Sequence, residues 1–463
     1  MRPHKITWIV IFAGILLITA GIGLGCSIAA KTGEMNGPVS MGKVVVSVKN
    51  QLGSLDSTAF SPDAAEEIGD RLDTYTACTA VSGFISDTVE TGSVSYSVRL
   101  TGTNWRFPEF NSLVFKYGGH FTRKAEDEGA AYAVIDETLA WNLFKTENAV
   151  GRVIHIFDTP FKIVGVYKND ASVGQFLTYT GIPEVYIPVG KLLELDSAAK
   201  ITTLQIKTGD GAATDKNLTD VRNALMQAGK NPVNYNITDY NIKAVQLRQR
   251  PMIIAFLSGL AAMLLLAGLF VKTALRTVRL IREGCRNDYL ANVIKHGSGA
   301  FIPAAVKMLA LLAGIIALWL LAGFKLYIPP EYIPDDLTNV QYFVSLIKAD
   351  IGLRMAGLGF IPSGTELLEG MMESLSNRVF FITLPAGSVL TYLGFSMLRS
   401  CEFDKNRAAV YCGIFLLASA LLVSIAAVAL GMPPVVYLKG IAVLWTLIFI
   451  VIYKIERKVI SNV

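Results

Sequence analysis

The sequence predicts a polytopic α-helical membrane protein with an inserted α+β extracytoplasmic domain. Three observations predict it. Of 463 residues, 52% are hydrophobic and only 17% are charged, too few charges for a soluble surface of this size. The apolar excess is concentrated in one block before residue 30 and in several blocks after residue 250. Between them, residues 31–250 have ordinary globular composition and enough length to bury a core of their own. Three parts follow. Residues 1–30 form a first transmembrane helix with a short cytoplasmic N-terminus. Residues 31–250 form the outer domain. Residues 251–463 form a membrane domain of about five further helices, with a cytoplasmic connection at 276–299 and an outer segment at 327–377.

A spanning helix needs about 20 mostly apolar residues. Six stretches fit: 6–29, 252–275, 301–324, 379–398, 408–430 and 435–453. Lys307 and Lys439 lie near span ends, where a lysine reaches the interface. Basic residues set the orientation. Arg2 and Lys5 precede the first span; Lys272, Arg276, Arg279, Arg282, Arg286 and Lys295 follow the second. Arg399, Lys405 and Arg407 follow the fourth, and Lys454, Arg457 and Lys458 follow the sixth. Placing these four flanks in the cytoplasm makes the topology alternate, with both termini inside a plasma membrane. The segment between spans three and four is acidic, with Glu331, Asp335, Asp336, Asp350, Glu366, Glu369 and Glu373, as expected outside. GLGC at 23–26 resembles a lipoprotein cleavage site, but Gly23 stands where a branched apolar residue belongs, and the apolar run exceeds a signal-peptide core. An uncleaved anchor is the plainer reading.

The net charge of +5 does not point to nucleic acid, because the basic residues flank the apolar blocks. Of five cysteines only Cys78 lies well inside the outer domain, so no disulfide scaffold is expected there. His4, His120, His155 and His296 are scattered, and no Cys/His spacing suits zinc. No G-x-S-x-G, H-E-x-x-H or G-x-x-x-x-G-K-[ST] occurs. The expectation is a protein that is not an enzyme and that holds no cofactor or metal. Glu66-Glu67 and Asp335-Asp336 read as solvated acids, and His155 reads as structural. The glycosylation patterns at Asn217 and Asn236 carry weight only in a glycosylating host.

In the outer domain, 93–101 alternates, with Val94, Tyr96, Val98 and Leu100 on one face, and reads as a strand. Residues 131–136, 153–157, 161–167, 185–188 and 204–207 also read as short strands. Helices are expected at 63–75, capped by Asp63, at 219–228, capped by Thr219, and at 137–144. Breakers at Gly118-Gly119, at Gly151 and at 209–211 separate the elements.

One ordered run carries a family resemblance. A G-x-x-F turn lies at 118–121 and an A-V-I strand at 133–135. A helix ending in Leu143-Phe144 follows, then a turn at 148–151 entering a hairpin that closes on Ile163-Val164-Gly165-Val166. Val185-Tyr186-Ile187-Pro188 comes next. This order resembles the extracytoplasmic core domain of MacB/FtsX-like ABC transporter permeases. Gly118, Gly119, Gly151 and Gly165 are then turn or close-approach positions. The resemblance implies an ABC ATPase subunit on the cytoplasmic face, pairing as a homodimer or with a related permease, and mechanical coupling rather than chemistry. It also implies that Arg282-Glu283 begins the element that docks on the ATPase; a matching glycine at Gly297 or Gly299 comes several residues late. The bland alternative is that these charges only flank two spans. The family has four spans, so the hairpin at 408–453 and the outer segment, with apolar stretches at 340–347 and 367–372 suited to a membrane surface, are additions. A competing reading is a membrane sensor or scaffold whose outer domain binds a ligand without any transport role.

Overall fold

The computed structural model describes residues 5–49, 58–81, 87–92, 94–178, 181–209, 214–286, 289, 293, 298–328, 333, 336, 339–356 and 364–454. Two compact units result. One comprises Met1–Ala29, Leu247–Leu326 and Ser374–Val463; the other comprises Ala30–Gln246 and Tyr327–Glu373. The outer segment, which the sequence groups with the membrane domain, therefore clusters with the sheet.

The sheet unit is built on β1 (Lys43–Val48), β2 (Thr76–Val81), β3 (Asp87–Thr91), β4 (Val94–Thr103), β5 (Phe115–Gly118), β6 (Tyr132–Asp136), β7 (Val153–Ile156), β8 (Thr159–Tyr167), β9 (Glu184–Pro188), β10 (Lys200–Lys207) and β11 (Tyr235–Asp239). Their order is β11-β1-β10-β2-β4-β3-β7-β8-β6-β9, with β5 on β8. β4 also pairs β9 in parallel, so the pairings from β4 through β3, β7, β8, β6 and β9 return to β4 in a closed circuit.

β1, like β2, shows how a strand escapes a search for alternation. Its sequence KVVVSV is buried at every position. Val44, Val46 and Val48 join the core formed with α2 (Pro62–Arg71) and α8 (Thr214–Gln227), through Ile68, Val221 and Leu225. Successive strand residues face opposite ways, so Lys43, Val45 and Ser47 line the other face, beside Gln205 and Thr203 of β10. A strand covered on both faces has no polar face to announce it. β4 is the converse: Val98 and Leu100 are buried, whereas Val94 and Tyr96 of the same face stand exposed near its start, where it pairs β3.

The helix starts differ from expectation. Ser61, not Asp63, caps α2, its Oγ accepting from the Ala64 N–H at 3.1 Å. α8 begins at Thr214, which places Thr219 inside the helix rather than at its cap. The α5 helix (Glu137–Phe144) matches the expected span and is capped by Asp136, whose Oδ1 accepts from the Leu139 N–H at 2.5 Å.

In the membrane unit, α1 (Lys5–Met35), α9 (Tyr240–Gly284), α10 (Ser298–Ala322), α12 (Gly364–Arg399) and α13 (Lys405–Ala429) are long and apolar enough to cross a bilayer. The protein is a multi-pass membrane protein. The sixth expected span is α14 (Leu438–Lys454), whose 17 described residues sit at the short end of that range.

α1 lies at the centre. Glycines seam it to α12: a Cβ on Gly14 would lie 2.6 Å from the Thr391 backbone nitrogen, and one on Gly21 would strike the Thr383 side chain. The reverse holds for Gly387 against Ile18 and for Gly394 against Ile11, at 3.1 and 3.0 Å from the backbone nitrogens. Rising numbers on α1 meet falling numbers on α12, so the two run antiparallel. Gly25 packs on Pro251 of α9, and Gly23 on Val423 of α13. The added hairpin also stacks on α1, with Trp8 5.3 Å from Tyr411 and Phe12 5.3 Å from Phe415 between ring centroids. Among apolar helices there is no solvent-driven collapse, so close backbone approach through glycine supplies the contact energy.

The β7–β8 hairpin turns on Phe157 and Asp158, at φ +47° and +61°. Two-residue hairpin turns need positive φ at both positions, and a phenylalanine is strained there. Replacing the pair by Phe157→Asn and Asp158→Gly is expected to stabilise the sheet unit by about 1 kcal/mol, read as a rise in the melting midpoint of the purified chain.

Candidate functional site

The site is built on the face of the sheet that carries Lys43 and Ser47, where the first turns of α12 settle. α12 opens with Glu366, Glu369 and Glu373, at helical spacings that bring them to one side. Ser47 donates to Glu366 Oε1 at 2.5 Å. The start of the helix meets the Glu184 carboxylate, whose Oε2 would lie 3.1 Å from a Cβ on Gly364. That carboxylate is held in place by Thr101 and Tyr186, each donating at 2.9 Å. Anionic charge suits a helix N-terminus. On the flank, Gly174 of α6 (Val173–Thr178) admits Met372 and Leu368, both buried. The stretch at 367–372 is therefore not a free membrane-surface element. The stretch at 340–347, in α11 (Val340–Ala356), does expose Val340, Phe343, Val344 and Ile347.

Lys43 is the centre of the site. It is 1% exposed, and its Nζ donates to the Phe110 carbonyl at 2.9 Å and to Gln205 Oε1 at 2.8 Å. Phe110 ends the short α3 (Phe107–Phe110). The Tyr240 ring, at the start of α9, lies 4.9 Å from Lys43 Nζ and 4.9 Å from Lys243 Nζ. Tyr240 hydrogen-bonds Glu369, which is 7% exposed and keeps its Oε2 without a hydrogen-bond partner. Lys243 reaches Glu373 at 3.9 Å. Burial pushes the Lys43 ammonium down to about 8; Glu369 and Glu366 oppose that shift and Lys243 adds to it. Two lysines and three glutamates thus meet here, with Lys43 and Glu369 buried and Lys243, Glu366 and Glu373 partly exposed. An open groove of about 700 Å³ adjoins them, lined by Val45, Lys49, Arg222, Tyr235, Lys243 and Glu366. Among the described residues, no group of three His, Cys, Asp or Glu side chains could hold a metal ion.

The residues singled out from the sequence lie elsewhere. Gly118 has φ +66°, and a Cβ on it would collide with the Val164 carbonyl; one on Gly165 would collide with the Gly119 carbonyl. Gly151 has φ +87° in open space, and a Cβ on Gly119 would meet nothing. Arg282 and Glu283 are both exposed near the end of α9. Of the connection at 276–299, residues 287–288, 290–292 and 294–297 lie outside the described residues, Gly297 among them. Glu331 and Asp335 lie outside them as well. The sequence reading missed Lys43, Tyr240 and Glu369 as partners. The available signals were a lysine opening a valine run and a seven-residue acidic repeat entering a span.

Two tests follow from this chemistry. Lys43→Met leaves two buried acceptors and Glu369 without their cation and is expected to destabilise the chain by about 3 kcal/mol. Combined with Glu369→Gln it should cost less than the sum of the single changes, measured as a double-mutant cycle on melting. Glu126 accepts from the Trp105 N–H at 2.7 Å, and burial pushes its carboxyl up to about 7. Because the folded value is raised, its stabilising contribution is complete below the ordinary carboxylate range and is lost as pH rises through 7. The melting midpoint of Glu126→Gln should accordingly fall less between pH 5 and pH 8 than that of the parent chain.

The MacB-like periplasmic core domain matches residues 6–224. The pyoverdine export ATP-binding/permease protein PvdT of Pseudomonas aeruginosa is 33% identical over 84 residues, which are 18% of this chain and 13% of that protein. The chain thus spans a small fraction of this curated relative. Among solved structures, the periplasmic region of MacB from Actinobacillus actinomycetemcomitans is 16% identical with a TM-score of 0.35, over 43% of this chain and 90% of that one. The extracellular domain of the noncanonic ABC-type transporter YknZ from Gram-positive bacteria is 16% identical with a TM-score of 0.35, over 42% and 99%. Residues 6–224 are thus what this chain shares with the MacB-like periplasmic core domain.

Proposed function

We propose that this chain is the permease subunit of an ABC transporter, which couples ATP hydrolysis by an ATPase subunit to movement of its outer domain. The observation that carries the reading is the family match: it begins inside the first apolar helix and ends ahead of the second. In this reading the sheet unit is extracytoplasmic and both termini are cytoplasmic. The basic flanks, Arg276, Arg279, Arg282 and Arg286 among them, support that orientation. The chain contains no phosphate-cradling G-x-x-x-x-G-K-[ST] motif, so ATP is assigned to a partner. Arg282 and Glu283, exposed and outside the apolar stretch of α9, are the contact assigned to that partner.

The mechanism is mechanical. The ATPase pair closes on ATP, the permease pair tilts as rigid bodies, and the motion runs along α1 and α9 into the sheet. α1 and α9 both continue as unbroken helix into the stretches that lead to β1 and from β11. The few charges inside the spans disfavour a hydrophilic path and favour work done outside the membrane.

The test is affinity purification of the tagged chain in detergent with an ATPase assay on the eluate. The reading expects a copurifying P-loop subunit, and at least a tenfold loss of its recovery with Arg282→Ala plus Glu283→Ala. A folded chain that purifies alone, without ATPase activity, would favour a sensor or scaffold instead.

A further inference from the structure

We infer that α12 is a third transmission helix beside α1 and α9, latched to the outer sheet by Lys43, Tyr240 and Glu369. This rests on the permease reading above and adds a route that the core domain, which ends its match at residue 224, does not contain. α12 runs as one helix from Gly364 to Arg399. Its later turns are seamed to α1 by Gly14, Gly21, Gly387 and Gly394. Its first turns, 364–373, belong to the sheet unit and touch β1 through Ser47, β9 through Glu184, α6 through Gly174 and the start of α9 through Tyr240.

The chemistry of those contacts suits a stiff joint. Glu369 is held by the Tyr240 hydroxyl and by the charge of Lys43, and Lys43 is itself tied to Phe110 and Gln205. Pulling α12 off the sheet would strand a carboxylate and an ammonium in a space that excludes water, a steeper penalty than parting apolar side chains. Sliding α12 by one residue would bring Leu368 or Gly370 opposite the lysine. The joint therefore resists both separation and shear, as a transmission element requires and a passive loop does not.

The experiment uses the intact chain with the ATPase subunit that copurifies, and amide hydrogen exchange read by mass spectrometry. Glu369→Ala is expected to speed exchange at 364–373 at least tenfold while 379–398 stays protected. The same change should remove the ATP-dependent exchange response of strands β3, β7 and β8. Ser47→Cys with Glu366→Cys, oxidised to a disulfide in the Glu369→Ala background, should restore that response by replacing the latch covalently. Glu369→Gln, which keeps the shape and loses the charge, serves where the alanine variant does not fold. An ATP response that survives the loss of Glu369 overturns the inference. So does a disulfide that blocks the response in the otherwise unchanged protein, because α12 would then have to leave the sheet. If no ATPase copurifies, the permease reading and the transmission role fall together, and unchanged exchange at 364–373 would separately refute the latch.

Discussion

An ammonium group sits in the sheet unit where water cannot reach it, and much of the surrounding architecture is arranged around it. Moving such an ion out of water costs several kcal/mol even after relaxation. Lys43 offsets this with two hydrogen bonds and with the negative charge of Glu369 and Glu366. Its neighbours come from residues 110, 205, 240, 366 and 369, distant stretches that meet only in the folded chain. Each is placed by its own element: Phe110 by α3, Gln205 by β10, Tyr240 by α9, and both glutamates by α12. The lysine selects the arrangement in which all of them converge, since a buried charge tolerates few alternatives. Lys43 also opens β1, the strand covered by helices on one face and by α12 on the other.

The membrane unit answers a different constraint. Apolar side chains gain little by meeting one another rather than lipid, so shape decides which helices pair. α1 meets α12 through two glycines on each helix, and takes Pro251 and Val423 onto Gly25 and Gly23. The outer surface of α10, with Ile302, Val306, Leu309 and Ile316 exposed, suits lipid contact. The hairpin of α13 and α14 is anchored on α1 by aromatic edges at Trp8 and Phe12 and by Ile22 against Gly440. This hairpin thus buttresses α1.

The closed circuit of strands bears on the mechanical role proposed above. In an open sheet, edge strands shear easily past their neighbours. Here the parallel β4–β9 pairing returns the path from β4 through β3, β7, β8 and β6 to its start, so a displacement at one strand is shared by the ring. Gly118 and Gly165, where a Cβ would collide with a backbone carbonyl, lie where β5 closes on β8. Their role is to let two backbones approach.

Much of this was legible before any tertiary contact was known. Apolar length, basic flanks and the globular interval between them define the spans and the inserted domain, because bilayer thickness and backbone hydrogen bonding leave few alternatives. Local sequence also marked the α5 helix, both strands of the β7–β8 hairpin and the strand at 185–188. The signal failed where burial is two-sided, as in β1 and β2, and where a cap competes with a nearby acid, as Ser61 does with Asp63. Which glycines of α1 face α12, and that the acids entering α12 meet a lysine more than 300 residues earlier, were decided by the tertiary structure alone. Those contacts join residues far apart in the chain, and their energy comes from excluding water around groups that, read one at a time, look like ordinary surface.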